Sequence, residues 1–397
     1  MVPPPPDHEW IEKRVLPLSE PSFGGNEWRY IKECLDSGWV SSVGPFVENF
    51  EKVIADYVGA GHAVATVNGT AALHVALLIA GVKPEDEVLV PALTFIAPAN
   101  AVRYCRAHPV FLDVDPRTGN LDPDALDTFL REECRSGDGP PIHRRTGRRV
   151  STVLPVHLYG HPADMDAIGA LAKRYGLAVV EDGAESLGAV ARGKRLGCSS
   201  DLLCFSFNGN KVITTGGGGM IVTRHAGLAR RARHLTTQAK ADKTEYRHDE
   251  IGFNYRMPSI NAALGLAQLE QLDGFLKRKR IIAEIYQKEL GSLNGLRVCG
   301  ETEWAASSYW LVNIFVDEAE AGISSRTLQT RLEAHGIASR PLWYPLHRQP
   351  AYTSCHAYRV ETADRLWAQG LSLPSSPQLT DSQALMVCAA VREALQD

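Results

Sequence analysis

Between Ala63 and Val222 the chain repeats one pattern: a short apolar run, a turn, then a stretch with helical spacing. "AVATV" (63–67) reads as a strand and "GTAALHVALLIAGV" (69–82) as a helix. "EVLVPAL" (87–93) and "APANAVRYC" repeat the pair, and "PVFLDVD" (109–115) adds a strand. "VSTVLPVHL" (150–158), "DMDAIGALAKRYG" (164–176) and "AVVED" (178–182) follow as strand, helix and strand. Parallel strands need long crossovers, usually helices, so this alternation predicts an α/β fold with a mostly parallel sheet. After the glycines at 216–219, residues 260–290 predict one long amphipathic helix. It leads into a smaller C-terminal α+β part, where "YWLVNIFVD" reads as a strand and "SRTLQTRLEAHG" as a helix. The expected division is a large domain with its N-terminal segment over 1–265, and a bridging helix with a small domain over 266–397. Residues 132–149, "EECRSGDGPPIHRRTGRR", are polar and turn-rich, and read as a surface hairpin within the large domain.

Composition removes several classes of function. A formal charge of -4 on 397 residues points away from nucleic acid and anionic membranes as partners. The segment "MVPPPPDHEWIEKR" has no apolar h-region, so it reads as a proline-rich lead-in and not as a secretory signal. The most apolar window, "TAALHVALLIAGV", is too short to span a bilayer. Eight cysteines are scattered with no C-x-x-C pair, so no zinc or redox motif emerges and no metal is expected. Reduced thiols in a cytoplasmic enzyme are the plain reading.

In open α/β sheets, chemistry collects at the carboxyl ends of the strands. Four segments place polar or aromatic residues there. In "VNGTAALHVAL", Asn68, Gly69 and Thr70 open a helix whose first N–H groups suit a phosphate. In "PALTFIAPAN", Phe95 follows a strand and is positioned to lie against a planar ring. In "VVEDGAESLGA", Asp182 closes an apolar strand, where a buried carboxylate needs a cationic partner. In "CFSFNGNKVITTGGGGMIVT", Ser206 precedes Lys211 by five positions and four glycines follow. A lysine amine can form an imine with an aldehyde, and glycines let backbone pass close to a bulky group. Each item alone has a commoner explanation: a helix cap, a core phenylalanine, an N-cap aspartate. Together, in this order, they describe a site for pyridoxal 5′-phosphate (PLP). Walker and dinucleotide fingerprints do not fit: no G-x-x-x-x-G-K-[ST] occurs, and the glycines follow the lysine and lead into a strand.

With these segments, and with "SGWVSSVGPFVENFE", "HDEIGFNYRMPSINAALGLAQL" and "PLH" (345–347), nearly the whole chain resembles the DegT/DnrJ/EryC1/StrS aminotransferases. That resemblance implies a fold-type I PLP-dependent transferase. It implies that Lys211 carries the cofactor imine, Asp182 pairs with the pyridine nitrogen and Phe95 stacks on the ring. Gly69, Thr70 and Ser206 would hold the phosphate, and Asn254 in "GFNYRM" would reach the phosphate of the neighbouring subunit of a homodimer with shared active sites. Glu185 stands where many members carry Gln, near the cofactor's 3′ oxygen or the substrate. A lysine at 211, where a dehydratase branch has histidine, favours transamination.

The resemblance further implies L-glutamate as donor, pyridoxamine phosphate as the intermediate cofactor form and ping-pong kinetics. The acceptor is expected to be a nucleotide-linked 4-keto-6-deoxyhexose. The hairpin and the "FNGNK" loop look most like enzymes acting on UDP-2-acetamido-4-keto-2,6-dideoxyhexose. GDP-4-keto-6-deoxymannose, the perosamine-type acceptor, is the alternative. Trp39, Arg340, Tyr344 and His347 are candidates for lining the sugar-nucleotide site. A PLP-fold regulator without turnover is the competing class, and Lys211, Asp182 and Ser206 together argue against it.

Overall fold

Seven strands of the alternating region and one from near the C-terminus build a single eight-stranded sheet. They are β1 (His62–Thr66), β2 (Glu87–Pro91), β3 (His108–Leu112), β4 (Val150–Val153), β5 (Ala178–Asp182), β6 (Leu202–Ser206) and β7 (Gly219–Thr223). The later part of the chain adds β8 (Leu296–Val298), β9 (Val312–Val316), β10 (Arg340–Pro341), β11 (Ala357–Tyr358) and β12 (Gly370–Leu373). The order in the large sheet is β1-β7-β6-β5-β4-β2-β3-β11. All its pairings are parallel except those of β7, which runs antiparallel to both β1 and β6. The computed structural model describes residues 15–135, 137, 139–197, 199–242 and 244–396. The proline-rich lead-in, Cys198 and two residues of the 132–149 excursion fall outside them.

β2, β4, β6 and β7 are almost entirely buried, and helices cover both faces of the sheet. This is why these strands read as continuous apolar runs and not as alternating ones. The connecting helices carry their own start and stop signals. Asp164 caps Met165–Tyr175 through the Ala167 N–H at 3.3 Å, and Gly176 ends it at φ 66°. The excursion forms a hairpin, Cys134–Arg135 against Ile142–His143.

β8, β9, β12 and β10 form a second, antiparallel sheet in that order. Its core joins Ile314 and Leu371 to Ile282, Tyr286, Leu328 and Val387 from three helices. The long helix expected over 260–290 is two helices, Ser259–Leu269 and Leu272–Leu290. The break is tertiary in origin. Gln268 and Gln271 both donate to the Glu27 carboxylate, at 2.7 and 2.6 Å, and Glu270 accepts from Asn26 and Tyr30. The junction is thus lashed to the start of helix Glu27–Ser37, and hydrophobic periodicity carries no trace of this. A division of the chain near 265/266 stays a proposal. The first of the two helices crosses that boundary, and β11 joins the large sheet from beyond it.

Candidate active site

The carboxyl ends of β1, β5 and β6 meet around one cavity of about 430 Å³. Lining it are Gly69, Thr70, Phe95, Asp182, Glu185, Ser206, Lys211 and Arg340, eight of the residues singled out from the sequence.

The turn after β1 starts a helix at Gly69. Asn68 caps it, its side chain accepting from the Ala71 N–H at 2.7 Å. This leaves the leading N–H groups of the helix at the cavity wall. Two close approaches hold the turn in place. A Cβ on Gly69 would stand 2.9 Å from Ser206 Cβ, and one on Gly219 would stand 2.5 Å from the Asn68 carbonyl carbon. Gly219 therefore serves the phosphate-type turn, whereas Gly217 and Gly218 line the cavity itself.

Asp182 ends β5, almost fully buried, and accepts from the Ala184 N–H at 2.9 Å. Burial raises its carboxyl above the usual range, opposed by the Ala184 bond and by the charges of Lys211 and His157. Glu185 is equally buried, and burial raises it too. One of its oxygens accepts from the Tyr159 N–H at 2.6 Å, and the other lies 3.5 Å from Lys211 Nζ. Lys211 Nζ also sits 3.9 Å from the centre of the Trp310 ring. Two buried carboxyls thus face a single ammonium.

An aromatic wall closes the other side. Tyr159, Trp310 and Trp343 stack nearly parallel, with centroids 6.1–6.2 Å apart. Phe95 is 48% exposed at the cavity and meets Trp343 at 4.9 Å. Trp310 is fixed from behind. Its indole N–H donates to the Asn210 carbonyl at 2.6 Å, and its own carbonyl accepts from the buried Lys279 at 3.1 Å. Burial lowers the Lys279 amine to about 7. The sequence reading missed Trp310, Trp343 and Tyr159. Trp310 lies just before a strand, and nothing in its local pattern points to a lysine almost a hundred residues away.

The other four candidates lie outside the cavity of their own chain. Asn254 is exposed and forms an isolated bridge with Thr237. Trp39 is half exposed, packed beside Gly44. Tyr344 meets Trp367 edge-on at 5.0 Å, and His347 Nε2 lies 3.2 Å from the Asp364 carboxylate.

Known proteins resemble this chain along nearly its whole length. GDP-perosamine synthase of Escherichia coli O157:H7 is 40% identical over 97% of this chain and all of its own length. GDP-perosamine synthase of Caulobacter vibrioides is also 40% identical, over 96% of this chain and 98% of its own. The crystal structure of S. venezuelae DesV in complex with a ketimine intermediate superimposes with a TM-score of 0.84 at 34% identity. It covers 94% of this chain and 95% of DesV. The model of the DegT/DnrJ/EryC1/StrS aminotransferase family matches residues 21–392, and the chain belongs to that family.

Proposed function

We propose that the chain moves an amino group from L-glutamate to C4 of a nucleotide-linked 4-keto-6-deoxyhexose, using PLP held in the Lys211 cavity. The observation that carries this is the convergence of Lys211, Asp182 and the Asn68–Thr70 turn on one cavity. The residues fit the cofactor. The turn offers N–H groups and the Ser206 hydroxyl to a phosphate, and the buried Asp182 carboxyl at the end of β5 suits a cationic ring nitrogen.

When bound, PLP supplies an electron sink for the carbon that gains or loses the amine. The rest is work for the chain's own side chains. Asp182 balances positive charge at the foot of the cavity, in surroundings where water cannot screen it. Lys211 Nζ holds and moves the proton, with Glu185 3.5 Å away as its polar neighbour. Trp310 and Trp343, with Tyr159 stacked against both, shield this exchange from water, and Arg340 at the mouth offers a guanidinium to a diphosphate.

For the acceptor, the names of two relatives at 40% identity support GDP-4-keto-6-deoxymannose. The look of the hairpin and the "FNGNK" loop supports the UDP-linked 2-acetamido sugar. We take the GDP-linked sugar as the leading reading, which reverses the order expected from the sequence. UDP-, GDP- and dTDP-4-keto-6-deoxyhexoses, each supplied with L-glutamate, would be compared by 2-oxoglutarate release. The expected result is a kcat/KM for the GDP-sugar at least about tenfold above the others, a gap of 1.4 kcal/mol. A UDP-sugar preference would restore the first order, and no release with any of them would sink the reading as a whole.

The proposal includes a homodimer with shared sites, in the cytoplasm. No helix among the described residues is long and apolar enough to cross a membrane. Asn254 is exposed in the same stretch of chain as Ile251 and Tyr246, two further exposed side chains that a second copy would cover. If Asn254 serves the neighbouring site, Lys211→Ala and Asn254→Asp, each inactive alone, should complement in a mixed dimer purified through two tags. One site then carries both lesions and the other carries neither. Activity near half of wild type is expected. Activity no higher than the mean of the two parents would place Asn254 in its own chain's site.

A further inference from the structure

At the opposite end of the sheet from Lys211, where β2 begins at Glu87 and β3 at His108, lies a second group of chemistry-bearing side chains. Glu133, His143 and His356 each bring one ligand atom within 4.8 Å of the others. His143 is fully buried. Its Nδ1 meets the Glu87 carboxylate at 2.8 Å, and the other oxygen of Glu87 accepts from the Thr146 hydroxyl at 2.8 Å. The carboxylate accepts the Nδ1 proton, so His143 Nε2 keeps its lone pair. Nε2 of His143 and Nε2 of His356 are both buried, with no hydrogen-bond partner among the described residues. Leaving such atoms unpaired is costly. The imidazoles lie 5.0 Å apart, and Phe129 packs against both.

We propose that Glu133, His143 and His356 form a zinc site, oriented by Glu87 and completed by a water. The arrangement meets the tests for such a site: nitrogen and oxygen donors suited to zinc, a carboxylate holding the far nitrogen of one histidine, and a way in. The way in is a cavity of about 660 Å³ lined by Glu87, Arg145 and His356. Zinc bonds of 2.0–2.2 Å in a tetrahedron set ligand atoms roughly 3.3–3.6 Å apart. His143 Nε2 and Glu133 Oε2 are 4.0 Å apart, so a small inward movement closes the site. The ligands come from a helix end, the hairpin and the segment entering β11, so the ion would staple three separate pieces of chain. Their wide separation in sequence explains why no short zinc motif exists.

Arg145 sets the affinity. Its guanidinium lies 3.1 Å from His356 Nδ1. Arginine only donates, so that contact keeps the His356 proton on Nε2, the nitrogen that zinc needs. Zinc binding must move the proton to Nδ1 and turn the exposed Arg145 toward solvent. Removing Arg145 should therefore tighten binding.

The test uses the full-length protein with its cofactor, stripped with EDTA and titrated with zinc chloride, read by calorimetry and by metal content after dialysis. The wild type should retain one zinc per chain at this site, with a raised Tm. Glu133→Gln and His356→Asn should each weaken binding at least about tenfold and lose the Tm rise. Arg145→Gln should strengthen it several-fold. His234→Ala, in an exposed cluster with Asp249 and Glu250, should change none of this. Should His356→Asn fail to fold, the partly exposed Glu133 carries the test. No retained zinc in the wild type, undiminished binding in Glu133→Gln, or weaker binding in Arg145→Gln would each overturn the proposal.

Discussion

Lys211→Ala is expected to abolish turnover while the protein still binds PLP. The substitution removes the one amine that lies between Glu185, 3.5 Å away, and the Trp310 ring, 3.9 Å away. Proton transfer by a placed base is worth about 10²–10⁴-fold, and loss of the covalent anchor adds to that. The turn at Asn68–Thr70 and Asp182 remain, so affinity for the cofactor should fall only in part. The fold should persist, since the two buried carboxyls left without their ammonium can protonate. Two readouts check this: 2-oxoglutarate release, and the visible absorbance of the bound cofactor, which glutamate should bleach in the wild type and fail to bleach in the variant. Lys211→Arg separates charge from chemistry. It keeps the cation but cannot serve as a base at neutral pH, and should be as inactive as the alanine variant. Turnover within tenfold of wild type in either variant would remove Lys211 from the centre of the reaction.

Asp182→Asn should have the second largest effect. An asparagine oxygen can still accept from the Ala184 N–H, so the end of β5 should keep its shape. What disappears is the negative charge. A carboxylate about 4 Å from a cation is worth roughly 4 kcal/mol at an effective dielectric of 20. Felt fully in the transition state, that amounts to about three orders of magnitude in rate. Stopped-flow measurement of each half-reaction would test this separately for donor and acceptor. A loss smaller than tenfold in both would mean that Asp182 does not face the reacting cation.

The readable part of the site shared one property. Gly69, Thr70, Phe95, Asp182, Ser206 and Lys211 each follow or close an apolar run, and an α/β sheet turns that local position into a spatial one. Where the geometry depends on distant partners, the sequence is silent. Tyr159, Trp310 and Trp343 become one wall only when loops from both halves of the chain meet. The gap between Leu269 and Leu272 is dictated by Glu27, far upstream. The two-residue strand β11 has no periodicity to read, and its place beside β3 is a property of the finished fold. Asn254, Trp39, Tyr344 and His347 rest on likeness to the family, and a single chain does not carry them to the cavity.

The strand order has a consequence for how the protein is made. β1 is an edge strand, and its ladder partner β7 lies more than 150 residues later in the chain. At ribosomal speeds of about 5–20 residues per second, β1 waits roughly 8–30 s before its partner exists. The opposite edge, β11, arrives close to the end of synthesis. The nascent chain therefore carries an unpaired apolar strand through more than a third of translation, the condition under which misassembly with other chains is fastest. Slowing elongation between residues 66 and 219 should lower soluble yield, whereas slowing it after residue 358 should leave yield unchanged. On this chain, the timing of translation acts on the same strand that positions the Asn68–Thr70 turn.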